Sequence, residues 1–288
     1  MRLITFQGPL GPRVGAVRDG RYVDLERVDP TLPRSIKEFL AGGDEMLRRA
    51  AKAQTFGETI DPRTVQLLAP VPDPQKVICV GLNYADHARE SGVEPPPEPV
   101  IFNKFATAVA AHESTVLLPP ESQEVDYEAE LVVVMGRRAR RVSVADAAQY
   151  IGGYCVGNDV SARDWQIGKP GKQWLLGKTF DGFAPFGPAL VTPDEIGDPG
   201  QLRIQCRVNG QVLQDSNTNQ LIFSVPQVVA YVSQVCTLLP GDVIFTGTPP
   251  GVGFARTPPI FLKPGDVAEV EIDRVGLLRN TFAADAKS

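Results

Sequence analysis

The chain has 288 residues, with 29 Lys and Arg against 34 Asp and Glu, a formal charge of −5. That length can bury a substantial core in one or two domains, and the mild acidity disfavours nucleic acid or an anionic membrane as the main partner. No stretch approaches the roughly eighteen consecutive apolar residues of a membrane helix, and Cys79, Cys155, Cys206 and Cys236 are widely spaced in apolar settings, which predicts free buried thiols in a reducing compartment.

In chain order, residues 1–6 read as a strand and not as a signal peptide. With the free thiols this points to the cytoplasm, or to the mitochondrial matrix in a eukaryote. Short strands over 14–17 and 22–25 and a helix over 35–54 make a small N-terminal α+β domain, residues 1–68. Ala69-Pro70-Val71-Pro72-Asp73-Pro74 is a stiff linker into a main body, residues 69–288.

A strand over 77–80 is broken by Gly81-Leu82-Asn83-Tyr84, and a helix begins near Asp86. His87 and Glu90 then share a helical face, so the carboxylate can hold the imidazole in one tautomer. That is how a water-activating base is built. A histidine without such a neighbour is usually a satisfied polar group, and the only other one here is His112. The Pro-rich segment from Ser91 to Pro99 cannot be regular helix or central strand; it reads as a loop able to close over a pocket.

Glu128 and Glu130 stand at the start of the β-branched run Leu131-Val132-Val133-Val134-Met135, a predicted buried strand. Alternate side chains share a face, which puts these carboxylates roughly 7 Å apart. Two anions aimed into a partly buried site repel and lose hydration, so they need a cation; a hard divalent ion with oxygen ligands supplies it. Alone, the pair reads equally as two solvated glutamates on an edge strand.

A strand over 151–156 leads into Asn158-Asp159, and Ser161 with Asp164 resembles a capping box opening a helix. Asp159 thus falls at a strand-to-helix turn, either aimed as an oxygen ligand or complementing the helix N-terminus. Lys178 is a lone cation in an apolar setting, where a lysine often snorkels to the surface. Helices are predicted over 144–150 and 225–235. Asn209-Gly210 between two short strands is a type I′ hairpin signal. A strand over 243–245 runs into the Gly-Pro loop 246–253, whose backbone amides and Thr246 or Thr248 hydroxyl can approach a ligand, although a plain turn accounts for it as well.

Together these segments resemble the fumarylacetoacetate hydrolase family. The matches are 80–87, Asp126-Tyr127-Glu128-Ala129-Glu130-Leu131, 158–166, Gly177-Lys178-Thr179-Phe180-Asp181 and the 241–253 loop, in the family's order and spacing. The N-terminal seventy residues, 122–126 and 171–175 look most like its domain-containing protein 2 branch. The resemblance implies an α+β, mostly β fold: a mixed β-roll of the family's C-terminal type behind a small N-terminal domain, assembled as a homodimer. It places Glu128, Glu130 and Asp159 on the metal ligands, Lys178 beside the metal, and His87 and Glu90 on a catalytic dyad. Gln166, Thr248 and Gly247 fall on substrate contacts. Asp126 shares the glutamates' face but is not a ligand in the family.

What the resemblance implies for function is a Mg²⁺-dependent enzyme, with Mn²⁺ as the alternative, acting on small keto acids. The expectation is hydrolytic cleavage of a C–C bond in 2,4-dioxo, acylpyruvate-like acids through a metal-stabilised enolate, water being activated by His87. The alternative is an oxaloacetate keto–enol tautomerase or decarboxylase on the same site. A metal-stabilised binding protein without activity is the non-enzyme reading.

Overall fold

The structure is a computed structural model that describes residues 1–90, 92 and 94–285. The run read as a buried strand forms Ala129–Met135, and every residue in it is buried. Its apolar character on both faces follows from its place. It is flanked by Ile151–Asn158 on one side and Val243–Phe245 on the other, within a twelve-stranded mixed sheet. Val243–Phe245 pairs in parallel with Val77–Gly81, which pairs with the edge strand Val100–Lys104. One core packs on one face of this sheet around Leu131, Val133, Tyr154 and Ile244. A second, around Val132, Val134, Cys155 and Phe245, packs on the other. A strand buried on both faces reads as a continuous apolar run, not an alternating one.

The N-terminal strands belong to the same sheet. Arg2–Gly8 pairs with Ala184–Val191, and Gly11–Arg18, Arg21–Asp24 and Thr59–Ile60 extend it outward, so the hydrogen-bonded ladder is continuous across residue 68. A five-stranded sheet is built from Arg203–Val208, Gln211–Asn217, Val267–Ile272, Gly276–Ala284 and Thr115–Leu118. In the Asn209-Gly210 turn both residues have positive φ, 52° and 79°, the backbone a type I′ hairpin requires. The class is the expected α+β, mostly β one.

Three local expectations are corrected. The single helix over 35–54 is two helices, Ile36–Ala41 and Gly43–Phe56. Gly43 at φ 64° breaks the path between them, a conformation open to glycine at little cost. The helix over 144–150 is reduced to the 3₁₀ turn Ala147–Tyr150. Ser143 and Asp146 explain it: the hydroxyl of Ser143 donates to Asp146 Oδ2 at 2.7 Å and accepts from the Asp146 amide at 3.2 Å. Such local bonds compete with helix formation. The third is the capping box at Ser161: Ser161–Ala162 is a strand pairing with Val125–Asp126, and the short helix Arg163–Gln166 has no side-chain cap. Val225–Val235, by contrast, forms as predicted, with Pro226 in its first turn and a real capping box between Ser224 and Gln227.

All four cysteines are free; Cys236 is only partly buried. Among the described residues, no helix is long and apolar enough to cross a membrane.

Candidate metal centre

Glu128 lies one residue before the Ala129–Met135 strand and Glu130 within it. The end of Ile151–Asn158 runs alongside: the Glu128 amide donates to Asn158 Oδ1 at 2.9 Å, and the Asp159 amide donates to the Glu128 carbonyl at 2.9 Å. Two neighbouring antiparallel strands thereby deliver three carboxylates to one end of the sheet. Glu128, Glu130 and Asp159 are 7, 1 and 0% exposed, and one oxygen from each falls within 4.8 Å of the others. Gly247, the first glycine of the 246–253 loop, donates its amide to Glu130 Oε2 at 2.7 Å.

Such a cluster cannot stand uncompensated in the interior. Lys178, on the helix Trp174–Lys178, donates to Glu128 Oε2 at 2.7 Å, Asp159 Oδ2 at 2.9 Å and Ser161 Oγ at 2.7 Å. It is 2% exposed, so it does not snorkel to the surface. Its approach depends on Gly177: a Cβ there would lie 2.5 Å from the Gln166 amide nitrogen. Arg163 puts Nη2 at 2.6 Å from Glu128 Oε1 and 2.8 Å from Asp126 Oδ2. Lys104, fully buried at the end of Val100–Lys104, pairs with Asp159 Oδ1 and donates to the Val160 carbonyl at 3.0 Å.

These contacts divide the carboxylates electrostatically. Burial pushes Glu128 up, but Lys178 and Arg163 outweigh it and hold the group down to about 2. Glu130 is pushed well above the usual carboxylate range, first by burial and then by repulsion from Asp159 and Glu128. For Lys178, burial favours loss of the proton, yet Asp159 and Glu128 raise its affinity for it. The donor set is all oxygen, three buried carboxylates on one small volume, and fits a hard divalent ion.

His87 and Glu90 lie on the helix Ala85–Glu90 with Nδ1 3.1 Å from Glu90 Oε2. A carboxylate only accepts here, so Nδ1 carries the hydrogen and Nε2 is left basic. Glu90 also accepts from the Gly251 amide at 3.1 Å, which ties the dyad to the glycine-proline loop. His87, Glu90, Glu128, Glu130, Gln166, Lys178 and Thr248 line one cleft of about 460 Å³, with Phe102 and Trp174 as an apolar wall. Those two rings meet edge-on, centroids 5.4 Å apart. A larger cleft, about 690 Å³, lies between Val100–Lys104 and Val225–Val235. It contains none of the carboxylate cluster, so chemistry and not size picks out the site.

Of the loop residues, Thr248 accepts from Gln214 Nε2 at 2.9 Å through its hydroxyl. Gly247 spends its amide on Glu130, and in Gln166 the amide oxygen accepts from Arg163 Nη1 at 2.8 Å. The segment expected to close over the pocket includes Ser91 and Val93, which lie outside the described residues. Within the rest of it, the Tyr231 hydroxyl donates to Glu98 Oε2 at 2.9 Å.

Arg163 and Lys104 went unrecognised in the sequence. A signal for Lys104 was present: Val100, Phe102 and Lys104 alternate on the inward face of one strand, which puts a charge where an apolar residue belongs. Arg163 had only its position in the 158–166 segment. Asp126, set aside as a ligand, is the partner of Arg163 and accepts the Gly253 and Phe254 amides at 2.7 and 3.0 Å.

Residues 76–283 match the family described as fumarylacetoacetate (FAA) hydrolase C-terminal. The protein "Oxaloacetate tautomerase FAHD2A, mitochondrial" of Bos taurus is 52% identical over 285 residues, covering 97% of this chain and 91% of that one. The fold also matches the fumarylacetoacetate hydrolase (EaFAH) of psychrophilic Exiguobacterium antarcticum, with a TM-score of 0.87 and 35% identity over 99% of this chain and 100% of that one. Maleylpyruvate hydrolase from Sphingobium sp. SYK-6, solved in complex with manganese (II) ion and pyruvate, gives a TM-score of 0.83 at 29% identity over 99% of this chain and 100% of that one.

Proposed function

The chain is an enzyme of the fumarylacetoacetate hydrolase family, and from that premise we propose that it interconverts the keto and enol forms of oxaloacetate at a site holding Mg²⁺, with Mn²⁺ as the alternative ion. The reading puts forward what the sequence carried as its alternative, ahead of C–C bond hydrolysis. Its support is the 52% identical relative named as an oxaloacetate tautomerase. The structural observation that carries it is the meeting of three buried carboxylates, Lys178 and the His87–Glu90 pair in one cleft.

Glu128, Glu130 and Asp159 would hold the ion, which when bound acts as a Lewis acid on the 2-oxo group of the substrate. The remaining chemistry belongs to side chains. Tautomerisation moves one proton from C3 to the C2 oxygen while the double bond shifts from C2–O to C2–C3. His87 Nε2 takes the C3 proton, with Glu90 fixing the ring and stabilising the imidazolium that forms, and then gives the proton to the C2 oxygen; the reverse direction runs through the same steps. Lys178, by redirecting one of its three donors from its present partners, stabilises the negative charge that develops on the C2 oxygen. Phe102 and Trp174 give that side of the cleft an apolar wall.

Hydrolysis of acylpyruvate-like acids is the second reading, favoured by the same His87–Glu90 geometry, which suits water activation, and by the likeness to maleylpyruvate hydrolase. One assay separates the two. Purified protein is given enol-oxaloacetate, and separately an acylpyruvate, with Mg²⁺ and after EDTA treatment. The proposal expects rapid metal-dependent loss of enol absorbance and little cleavage. Cleavage without tautomerisation would overturn it.

A further inference from the structure

Both oxygens of Glu128 and both of Asp159 already face a cation. Lys178 Nζ takes Glu128 Oε2 at 2.7 Å and Asp159 Oδ2 at 2.9 Å. Arg163 takes Glu128 Oε1 at 2.6 Å, and Lys104 takes Asp159 Oδ1. Glu130 differs: it accepts the Gly247 amide, and among the described residues no Lys or Arg pairs with it. Around this site four buried carboxyl groups, counting Asp126, thus face the side chains of Lys104, Arg163 and Lys178. Lys104 and Arg163 are fully committed, to two carbonyls and to Asp126 and Gln166 respectively. Lys178 also uses its three donors, on Glu128, Asp159 and the Ser161 hydroxyl, but it alone of the three touches two of the candidate ligands, and it lines the cleft with its ammonium 5.2 Å from the centre of the Phe102 ring.

A divalent ion seated on these carboxylates is therefore repelled by an ammonium sharing two of its three ligand groups. An anionic 2-oxo acid entering the cleft offers that ammonium a new partner and lessens the repulsion. From this arrangement we infer that Lys178 couples metal binding to substrate binding: it holds the site's affinity for a divalent ion low until an anionic 2-oxo acid engages the ammonium. The inference rests on the metal-site reading of Glu128, Glu130 and Asp159 given above. By linkage, the ion must tighten the acid by the same factor by which the acid tightens the ion.

The test is calorimetric titration of Mn²⁺ alone into wild type, Lys178→Met and Glu130→Gln, each with and without saturating pyruvate, corrected for Mn²⁺–pyruvate association in solution. Wild type should tighten for Mn²⁺ by a factor in the range of about 5–150 when pyruvate is present. Lys178→Met should bind Mn²⁺ alone about tenfold more tightly than wild type and lose the pyruvate effect, a gain of affinity that a merely structural lysine would not produce. Lys178→Gln keeps a donor toward Ser161 without the charge and carries the same expectation, so a Met variant that fails to fold leaves the test intact. Unchanged or weaker Mn²⁺ binding in the folded Lys178 variants, with Glu130→Gln impaired, overturns the coupling while the metal site stands. If wild type and Glu130→Gln are equally indifferent to Mn²⁺, the metal-site reading itself fails and takes the coupling with it.

Discussion

Arg163 and Glu128 are joined at 2.6 Å, and the same guanidinium holds Asp126 at 2.8 Å while donating to Gln166 Oε1 at 2.8 Å. One side chain on a four-residue helix thus sets the position of a candidate ligand, anchors the end of the 246–253 loop through Asp126, and turns the Gln166 amide so that its NH₂ group faces away from Arg163. Arginine can only donate, which leaves the amide no choice. Arg163→Met takes the cation from Asp126 and one of two from Glu128 and should cost about 3–5 kcal/mol, the range for removing one partner of a buried pair. Arg163→Lys should recover little, because an ammonium cannot hold two carboxylates and an amide in one plane. Urea unfolding of the two variants checks this; a lysine variant as stable as wild type would refute it.

Metal dependence follows from the oxygen cluster. Glu130→Gln or Asp159→Asn removes one negative charge from the set, and Mg²⁺ affinity should fall by at least about 10–100-fold, the loss seen even for groups that only support a ligand. Activity should fall with it. Full activity after dialysis against EDTA would count decisively against the metal centre.

The proton-handling residues should separate from the ligands. His87→Ala should abolish turnover and leave Mg²⁺ affinity unchanged, because His87 is bonded to Glu90 and not to the carboxylate cluster. Lys178→Ala should lower kcat by about 10²–10³, the loss for one preorganised donor to developing charge. Glu90→Gln should damage acylpyruvate cleavage, where present, more than tautomerisation. If His87→Ala weakens Mg²⁺ binding, the division between ligands and base is wrong.

Gly177→Ala should destabilise the protein by about 1–3 kcal/mol and depress activity with it. The new Cβ would fall 2.5 Å from Gln166 N and 2.6 Å from Gln166 Cα, forcing apart the two short helices that carry Lys178 and Arg163. Thermal melts and kcat of the variant read both effects. An alanine variant with wild-type melting and turnover would show that the helices yield without cost.

His112 supplies a pH dependence away from the site. Its Nδ1 accepts the Arg279 amide at 3.1 Å, and burial lowers its affinity for a proton below that of a free histidine. Between the ordinary value of about 6.5 and the lowered folded value, the unfolded chain binds a proton that the native one does not, so stability falls as pH drops through that window. His112→Asn, with an acceptor that does not titrate, should flatten this part of the stability curve. An unchanged slope between pH 6.5 and 5 would rule His112 out as its source.

Local signals were enough for much of the fold. The 131–135 run, the Asn209-Gly210 turn and the Ser224–Gln227 cap each specify their element through groups only a few residues apart. Where local signals competed, the reading failed. Gly42-Gly43 could sit inside a helix or end one, and the chain breaks there with Gly43 at φ 64°. Ser161 could cap a helix, but pairing of Ser161–Ala162 with Val125–Asp126 turned its hydroxyl toward Lys178 instead.

The site divides along the same line. The sequence by itself determined two local pairings, because strand alternation puts Glu128 beside Glu130 and helical spacing puts His87 beside Glu90; Asp159 joined them only through the family resemblance. Only the tertiary structure decided what balances them. Lys104, Arg163 and Lys178 come from three separate elements, the strand Val100–Lys104 and two short helices, and their side chains meet Glu128 and Asp159 across 19 residues of sequence or more only in the folded chain. A buried charge is stabilised by whatever opposite charge lies within a few ångströms in space, and that distance is set by packing between elements, not by position along the chain.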